Sequence, residues 1–236
     1  MSKLATSEVF GPTFQGEGPS MGRLCAFVRL MGCNLACSWC DTPYTWDAKR
    51  YDLAEETTML ESEAIAKQVI DTGAGLCIIS GGEPLLHQKR VGWQELMVKL
   101  INAGVEVHVE TNGTQTPTNF SEAYIARFVV SPKLAHSGDV ESDRIVAPAL
   151  EHFAGLAHKD RAVFKFVAKT PEDLDEIESH LVNFGIPRKS VWVMPEGVTA
   201  EAQVEGLELL APHIVAKGWN VSSRLHVLTW GHKRGV

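Results

Sequence analysis

The chain has 236 residues, of which 44% are apolar and 22% charged, and its formal net charge is -7 at pH 7. This length and composition suit a globular protein with a substantial core, and they argue against disorder, a collagen-like repeat or a small disulfide scaffold. The negative charge, with no basic run to offset it, argues against direct binding of nucleic acid or an anionic membrane. No apolar stretch approaches the roughly 20 residues that cross a bilayer, and no signal peptide is visible, so we expect a soluble, cytoplasmic protein.

Short apolar runs alternate with helical patterns along the chain. The predicted strands are Leu24–Leu30, Gly75–Ile79, Val105–Val109, Phe128–Val130, Val163–Ala168, Ser190–Val193 and Arg224–Leu228. The predicted helices are Glu61–Asp71, Trp93–Ala103, Phe120–Ala126, Thr199–Leu210 and one that Thr170 caps and Gly185 ends. Strands that alternate with helices predict a parallel sheet of about six βα units. We therefore expect a single α/β domain over residues 1–236, with a partial barrel or an open sheet.

Four polar or glycine-rich turns follow predicted strands directly. They are Gly81–Pro84, Glu110–Gly113, Ser131–Lys133 and Met194–Gly197. Because ligands collect at the carboxyl ends of parallel strands, these turns predict a pocket at that edge of the sheet.

The five cysteines are the least ordinary feature of the composition. Cys33, Cys37 and Cys40 have the spacing C-x3-C-x2-C, which is typical of metal ligands in a cytosolic chain. An iron–sulfur cubane ordinarily has four cysteines, so three would leave one iron open for a small molecule. The alternatives are a zinc knot, which needs a fourth ligand nearby, or three unrelated thiols. Cys25 and Cys77 lie in apolar strands, where we expect them to pack as small hydrophobic residues.

The cysteine spacing, with aromatic Trp39 directly before the last cysteine, resembles the signature of the radical S-adenosylmethionine superfamily. The turn Gly81–Pro84 resembles that superfamily's second motif, which contacts the methionyl amino group. The resemblance implies a 4Fe–4S cluster held by Cys33, Cys37 and Cys40, with S-adenosylmethionine (SAM) on the open iron as source of a 5'-deoxyadenosyl radical. It also implies a partial, shortened TIM-like barrel of the (βα)6 type.

Further motifs resemble a narrower family, the 7-carboxy-7-deazaguanine synthases. These are F-Q-G-E-G at 14–18, F-V-R-L at 27–30, the cysteine segment through Thr42, S-G-G-E-P at 80–84, E-T-N-G-T at 110–114, S-P-K at 131–133 and the segment Arg224–Val236. Such carbon–nitrogen lyases convert 6-carboxy-5,6,7,8-tetrahydropterin to 7-carboxy-7-deazaguanine by ring contraction with loss of ammonia, on the route to 7-deazapurines such as queuosine. The resemblance implies Mg2+ as a further cofactor, a homodimer, and an electron donor such as flavodoxin or ferredoxin.

The resemblance also implies roles for single residues. The implied SAM contacts are Trp39, Asp41, Gly82, Glu110, Ser131, Pro132 and Lys133. The implied pterin site is Phe14, Gln15, Gly16, Glu17, Arg29, Ser80 and His226, with Arg29 and Glu17 as catalytic residues. Thr42 is the implied Mg2+ ligand.

Without the resemblance, the same residues have plainer interpretations. Glu8–Gly18 is a glycine-rich loop or turn ahead of the first predicted strand, Arg29 is an ordinary surface arginine, and Thr42 is a helix cap. The role of His136, just beyond the S-P-K motif, stays open.

Two other functions compete with the synthase. A glycyl-radical-enzyme activase has the same cysteine spacing and a comparable length, but it must bind a large partner chain. A non-catalytic iron–sulfur or zinc module would have a fully ligated site and no affinity for SAM.

Overall fold

The computed structural model describes residues 2–236. Its strands are β1 Lys3–Phe14, β2 Leu24–Leu30, β3 Thr58–Glu61, β4 Leu76–Gly81, β5 Glu106–Thr111, β6 Arg127–Val130, β7 Ala162–Ala168, β8 Val191–Pro195 and β9 Asn220–Val221. Its helices are α1 Ser62–Asp71, α2 Val91–Asn102, α3 Asn119–Tyr124, α4 Glu141–Arg144, α5 Ala147–His158, α6 Asp173–Phe184, α7 Ala200–Ala216 and α8 Leu225–Trp230.

All nine strands belong to one sheet, in the order β3-β1-β2-β4-β5-β6-β7-β8-β9. β1 pairs antiparallel with β2 and β3, and every other neighbouring pair is parallel. β3 and β9 form the two edges, so the sheet does not close on itself. Six longer parallel strands, β2 and β4–β8, therefore make the partial barrel of (βα)6 type that the sequence predicts, with an antiparallel extension at one edge.

The parallel strands are apolar on both faces because both faces are covered. On β4, Cys77 and Ile79 belong to the large core shared with the helices, whereas Leu76 and Ile78 pack with Cys25 on the other face. Both cysteines are buried free thiols, as expected for small hydrophobic residues. The helices pack on the face of Cys77 and Ile79, and the carboxyl ends of the strands remain accessible to ligands.

Three predictions about the elements are wrong. Arg224–Leu228 is not a strand: residues 225–230 form α8, in which Val227 is the one buried residue, and the backbone N–H of Leu225 donates to the carbonyl of Gly16 (2.8 Å) instead of to a neighbouring strand. A run of five residues is too short to distinguish the helical period of about 3.6 residues from the strand period of 2.

The second wrong prediction is the loop at Glu8–Gly18, most of which belongs to β1, since that strand runs to Phe14. The pairing of β1 with β2 shifts register between Phe10 and Thr13, and this irregularity hides the alternation of a strand.

The third error concerns the start of α6. Thr170 does not cap it, because the helix begins at Asp173. The Asp173 Oδ2 atom accepts hydrogen bonds from the backbone N–H groups of Lys169 (2.6 Å) and Thr170 (3.0 Å), so the carboxylate rather than the threonine hydroxyl satisfies the backbone there.

Helix α5 was not among the predicted elements. None of the helices in residues 2–236 has both the length and the apolar character needed to span a bilayer.

Candidate active site

Two adjoining cavities lie at the edge where the parallel strands end. The larger, about 390 Å³, is lined by Cys33, Cys37 and Cys40 and by residues of all four predicted turns, and we call it the thiol cavity. The smaller, about 130 Å³, is lined by Arg29, by the end of β1 with the residues after it, and by residues between Arg224 and Val236, and we call it the Arg29 cavity. The residues that line both are Glu17, Asp41, Thr42, Ser80, Glu110, Arg224 and His232. The pocket predicted from the turns is therefore present and has two chambers with a common wall.

Three hydrogen bonds hold the cysteine loop against the segments that follow β5 and β6. The Asn34 side chain donates to Thr114 Oγ1 (2.9 Å), and the backbone N–H of Ala36 donates to Asp139 Oδ1 (2.7 Å). Ser38 adds a backbone hydrogen bond to the Ser137 carbonyl (2.9 Å). The loop is thus fixed at three points along its length, between and around the cysteines.

The thiols suit an iron–sulfur cluster better than a single ion. Within residues 2–236, no three His, Cys, Asp or Glu side chains converge on one point as the ligands of a single ion must. A cubane binds each cysteine through a different iron, so its thiolates surround a volume instead of meeting at a point. Burial raises the pKa of Cys33 to about 11, and a bound metal would displace that proton. Three thiols that line one cavity at this spacing therefore fit the donor set of such a cluster.

N–H donors already point at two of the sulfurs. The backbone N–H of Leu35 donates to Cys33 Sγ (3.5 Å), and the Trp46 indole donates to Cys40 Sγ (3.3 Å). Such donors stabilise negative charge on thiolates and on the cluster that they hold.

The G-G-E-P turn packs directly on the cysteine loop. A side-chain carbon on Gly82 would lie 2.0 Å from the Gly32 carbonyl oxygen, so only glycine allows this approach. Glu83 is fully buried, and its oxygens accept the backbone N–H groups of Leu85 (2.9 Å) and Asn112 (2.7 Å) and the hydroxyl of Thr111 (2.8 Å). Glu83 therefore joins two of the turns that line the cavity, a role that sequence reasoning missed.

The S-P-K segment forms another wall of the thiol cavity. Lys133 Nζ donates to Ser131 Oγ (3.0 Å) and lies 5.4 Å from the centre of the Trp39 ring, whose other neighbour is His136. Pro132 lines neither cavity, and neither does His136. The other implied SAM contacts, Trp39, Asp41, Gly82, Glu110, Ser131 and Lys133, all line the thiol cavity.

Arg29 is not an ordinary surface arginine. Its Nε atom donates to Glu8 Oε1 (2.6 Å), which also accepts the Tyr44 hydroxyl (3.1 Å), and its side chain is 15% exposed. Among the residues that the structure describes, its two terminal nitrogens have no hydrogen-bond partner. The guanidinium can therefore donate both of these nitrogens to a ligand carboxylate in the cavity.

An aromatic side chain and a glycine line another part of this cavity. Phe14 stacks on Trp230 with ring centres 4.4 Å apart. A side-chain carbon on Gly16 would lie 1.9 Å from His226 Nδ1, so the glycine is what lets the imidazole sit there. Burial lowers the pKa of His226, against the opposite effect of Glu17, so burial favours the neutral ring. All seven implied pterin residues line this cavity.

A buried network of charges separates the two cavities. The two oxygens of Glu17 are bonded to two different cations, one to Lys165 and the other to Arg224 Nε (2.9 Å). A terminal nitrogen of Arg224 also bonds Asp41. Burial alone would raise the pKa of Glu17, but these two cations hold it well below its usual value, so Glu17 is a carboxylate at neutral pH.

Sequence reasoning gave neither Lys165 nor Arg224 a role at the site. Lys165 stands in the apolar run V-F-K-F-V of β7, and a lysine inside a buried strand was the available signal. Arg224 begins the segment Arg224–Val236 that resembles the synthase family, but that resemblance assigned no role to it.

Glu110 and Thr42 complete the common wall. Glu110 accepts from Gln15 Nε2 (3.0 Å) and from the Ser80 hydroxyl (2.9 Å), so it faces the Arg29 cavity as much as the thiol cavity. Thr42 precedes a short 3-10 turn, but its side chain makes no cap hydrogen bond, so the helix-cap interpretation is wrong. Its hydroxyl lies 3.8 Å from Cys40 Sγ and borders both cavities.

Comparison with known proteins agrees with this geometry. The sequence profile described as the Radical SAM superfamily matches residues 28–133. A 7-carboxy-7-deazaguanine synthase of Pyrobaculum aerophilum is 37% identical over 233 residues, which cover 99% of this chain and 97% of that protein. One from Bacillus subtilis is 30% identical over 252 residues, with 97% of each chain covered.

The fold has a solved counterpart as well. The crystal structure of QueE from Escherichia coli superposes with a TM-score of 0.68 at 24% identity, over 95% of each chain. This likeness confirms the predicted fold class. With relatives at 30% identity or more along nearly its whole length, the chain belongs to the 7-carboxy-7-deazaguanine synthase family of radical SAM enzymes.

Proposed function

We propose that this chain is a lyase that contracts the ring of 6-carboxy-5,6,7,8-tetrahydropterin to 7-carboxy-7-deazaguanine with loss of ammonia. One observation carries the proposal: the Arg29 cavity, which holds every residue implied for the pterin, shares a wall with the thiol cavity. A substrate held there lies next to the place where a SAM-derived radical would form. The chemistry that a 4Fe–4S cluster and SAM supply when bound is hydrogen-atom abstraction by a 5'-deoxyadenosyl radical.

The residues of the chain then have separate tasks. Cys33, Cys37 and Cys40 would hold the cluster, within reach of the N–H donors described above. Arg29 binds the substrate carboxylate through its free terminal nitrogens, while Glu8 fixes the orientation of the guanidinium. Phe14, which is stacked on Trp230, provides an apolar face on one side of the cavity.

The heterocycle needs both donors and acceptors along its edges. Glu17 is ionised and accepts hydrogen bonds from ring N–H groups, and Gln15, held by Glu110, can both donate and accept. His226 adds a neutral imidazole on the same wall. In this proposal, substrate specificity comes from the buried polar groups of the cavity. A ligand without the matching donors and acceptors would leave these groups without hydrogen-bond partners, and it would therefore bind weakly.

Thr42 is the proposed ligand of Mg2+. Its hydroxyl caps nothing and borders both cavities, which leaves it free to bind a cation. A neutral hydroxyl is a weak ligand by itself, so substrate oxygens and water would complete the octahedral shell.

The wider properties of the family complete the proposal. Residues 1–236 would act as one radical SAM domain, in keeping with a single sheet that runs from Lys3 to Val221. The enzyme would be a cytoplasmic homodimer that receives its electron from a flavodoxin or ferredoxin.

The test is an anaerobic assay of the reconstituted protein with dithionite, SAM, Mg2+ and carboxytetrahydropterin. We expect 7-carboxy-7-deazaguanine in excess over 5'-deoxyadenosine, because loss of ammonia is redox-neutral and the abstracted hydrogen atom must be returned, and we expect neither product from the Cys37→Ala variant. Cleavage of SAM without deazaguanine would contradict the proposal and favour a glycyl-radical activase. Failure to bind SAM at all would favour a non-catalytic module.

A further inference from the structure

One guanidinium contacts both cavities. Arg224 donates from Nε to Glu17 (2.9 Å), from one terminal nitrogen to Asp41, and from the other to the Gly197 carbonyl (3.2 Å). Its side chain is only 8% exposed. Glu17 belongs to the implied pterin site, and Asp41, directly after Cys40, is an implied SAM contact. Every nitrogen of the arginine head is therefore in use, and its two carboxylate partners serve different ligands.

The backbone of Arg224 is fixed as firmly as its side chain. Its N–H donates to Oε1 of Gln203 (3.0 Å), a fully buried residue of α7. Gln203 Nε2 in turn donates to the carbonyls of Pro195 and Gly197 (3.0 Å each). On the next residue, the N–H of Leu225 is bonded to Gly16, beside Glu17. With its backbone held, the arginine cannot follow one carboxylate without changing its contact with the other.

We propose that Arg224 is a positioning residue that couples the two cavities, so that a ligand bound at Glu17 also fixes Asp41 for the ligand of the thiol cavity. The inference rests on the proposed function, because it takes the pterin and SAM as the two ligands. A ligand that bonds to Glu17 shifts this carboxylate and with it the shared guanidinium, and the guanidinium in turn moves the Asp41 carboxylate towards its position for the second ligand. Coupling between binding sites is reciprocal, so each ligand raises the affinity of the other by the same factor.

A direct contact between the two ligands would produce coupling too, and the choice of substitution separates the causes. Lysine keeps the positive charge but has a single side-chain nitrogen. It cannot donate to Glu17, Asp41 and the Gly197 carbonyl at the same time, as the three nitrogens of Arg224 do. Arg224→Lys therefore breaks the bridge while leaving a cation beside Glu17. Coupling through ligand–ligand contact survives this change, whereas coupling through the guanidinium does not.

The experiment measures the dissociation constant of radiolabelled SAM by anaerobic equilibrium dialysis. The protein carries its reconstituted cluster in the oxidised state, without reductant, so that no turnover occurs. Each constant is measured with and without saturating carboxytetrahydropterin. In the wild type we expect the pterin to tighten SAM binding about fivefold or more. In Arg224→Lys we expect the ratio to fall to about one, with a cluster content equal to that of the wild type.

Two further variants keep the test decisive should Arg224→Lys fold poorly. Asp41→Asn cuts the bridge at its other end and should also bring the ratio to about one, whatever it does to SAM affinity itself. Lys165→Gln removes the other cation on Glu17. Lys165 has no contact with Asp41 and lies 3.9 Å from Glu110, beyond hydrogen-bond distance, so this variant should weaken pterin binding and preserve the ratio.

The outcomes separate the inference from the proposed function. A wild-type ratio of one, or a ratio that persists in Arg224→Lys and Asp41→Asn, overturns the inference alone if the wild type still forms deazaguanine. A ratio lost equally in Lys165→Gln also overturns it, because any disturbance of Glu17 would then suffice. A wild type that neither binds nor converts the pterin overturns the proposed function and the inference with it.

Discussion

The two cavities lie side by side, yet the chain builds them in opposite ways. The thiol cavity comes from a continuous loop and from turns that each follow a parallel strand directly. The Arg29 cavity is assembled from residues near both ends of the chain, and its contact between Glu17 and Arg224 spans 207 positions. The thiol cavity is therefore encoded in short local motifs, whereas the Arg29 cavity exists only once distant segments have met.

Their electrostatics differ as well. The thiol cavity offers sulfur atoms, backbone N–H donors and two lysines, Lys133 and Lys165, and it depends on Gly82 for close packing. The wall of the Arg29 cavity is a network of buried ion pairs around Glu17. The comparison teaches that the chemistry common to a superfamily can be carried by local geometry, while recognition of one substrate demands long-range charge pairing.

The largest effect should follow from removing one thiol. Cys37→Ala leaves two cysteines for a cluster that has only three protein ligands, so we expect the iron content and the product to fall to background. Iron analysis and the anaerobic assay measure this. The matched control is Cys25→Ala, a buried thiol of β2 outside the cavity, which should keep the cluster and lower the free energy of unfolding by about 1 kcal/mol. A normal iron content in Cys37→Ala would contradict the inference that the three neighbouring cysteines hold the cluster.

The ion pairs of the shared wall should matter most for stability. Lys165→Gln leaves buried Glu17 with Arg224 alone, and we expect unfolding in urea to show a loss of about 3 kcal/mol. Lys189→Gln is the matched control, because Lys189 pairs with Asp160 on the exposed surface and should cost less than about 1 kcal/mol. Equal losses of unfolding free energy in the two variants would contradict the inference that the buried ion pairs around Glu17 contribute more to stability than surface pairs do.

Substrate affinity should depend on the far end of the Arg29 cavity. Arg29→Ala removes a charge-assisted contact with the carboxylate, so we expect KM for the carboxypterin to rise about 10- to 150-fold with KM for SAM little changed. Arg23→Ala is the control, since Arg23 pairs with Glu106 on the exposed side of the sheet and lines neither cavity. A normal KM in Arg29→Ala would mean that the carboxylate binds elsewhere.

The smallest effect concerns the support of the S-P-K wall. Glu176 accepts from Arg144 (2.7 Å) and from the backbone N–H of Ala135 (2.9 Å), and Arg144 also donates to the Lys133 carbonyl (2.8 Å). Burial would raise the pKa of Glu176, but the His180 ring 3.5 Å away and hydrogen bonds from Ala135 and Arg144 lower it from 4.5 to about 2. A lowered pKa means that the carboxylate stabilises the fold fully above about pH 4.5 and that this contribution is lost as the pH falls towards 2.

Glu176→Gln should therefore be less stable than the wild type by about 2 kcal/mol at pH 7, and the difference should vanish near pH 2. Urea unfolding at a series of pH values measures it, with Glu151→Gln on the exposed face of α5 as control. A deficit that stays constant across this range would show that the carboxylate charge is not what holds the wall.

The same contrast explains what could be predicted from the sequence. β4 and β7 are apolar runs bounded by turns, so their positions and the thiol cavity between them follow from local pattern. β1 was not predicted because its irregular pairing around Gly11 interrupts the alternation of apolar and polar residues. α8 was predicted as a strand because five residues are too few to show a helical period. Arg224 and Gln203 could not be predicted, since their roles depend on which distant segments meet and no local pattern records that.

The bond between Glu17 and Arg224 also has a consequence for the order of biosynthesis. A ribosome releases Glu17 and the cysteine loop long before it has made Arg224, because 207 positions separate the two partners. Throughout that interval Glu17 and Asp41 lack their shared cation, while all three cysteines have already been made. Cluster loading can thus precede completion of the substrate chamber, and a nascent chain that already carries iron still cannot hold the pterin.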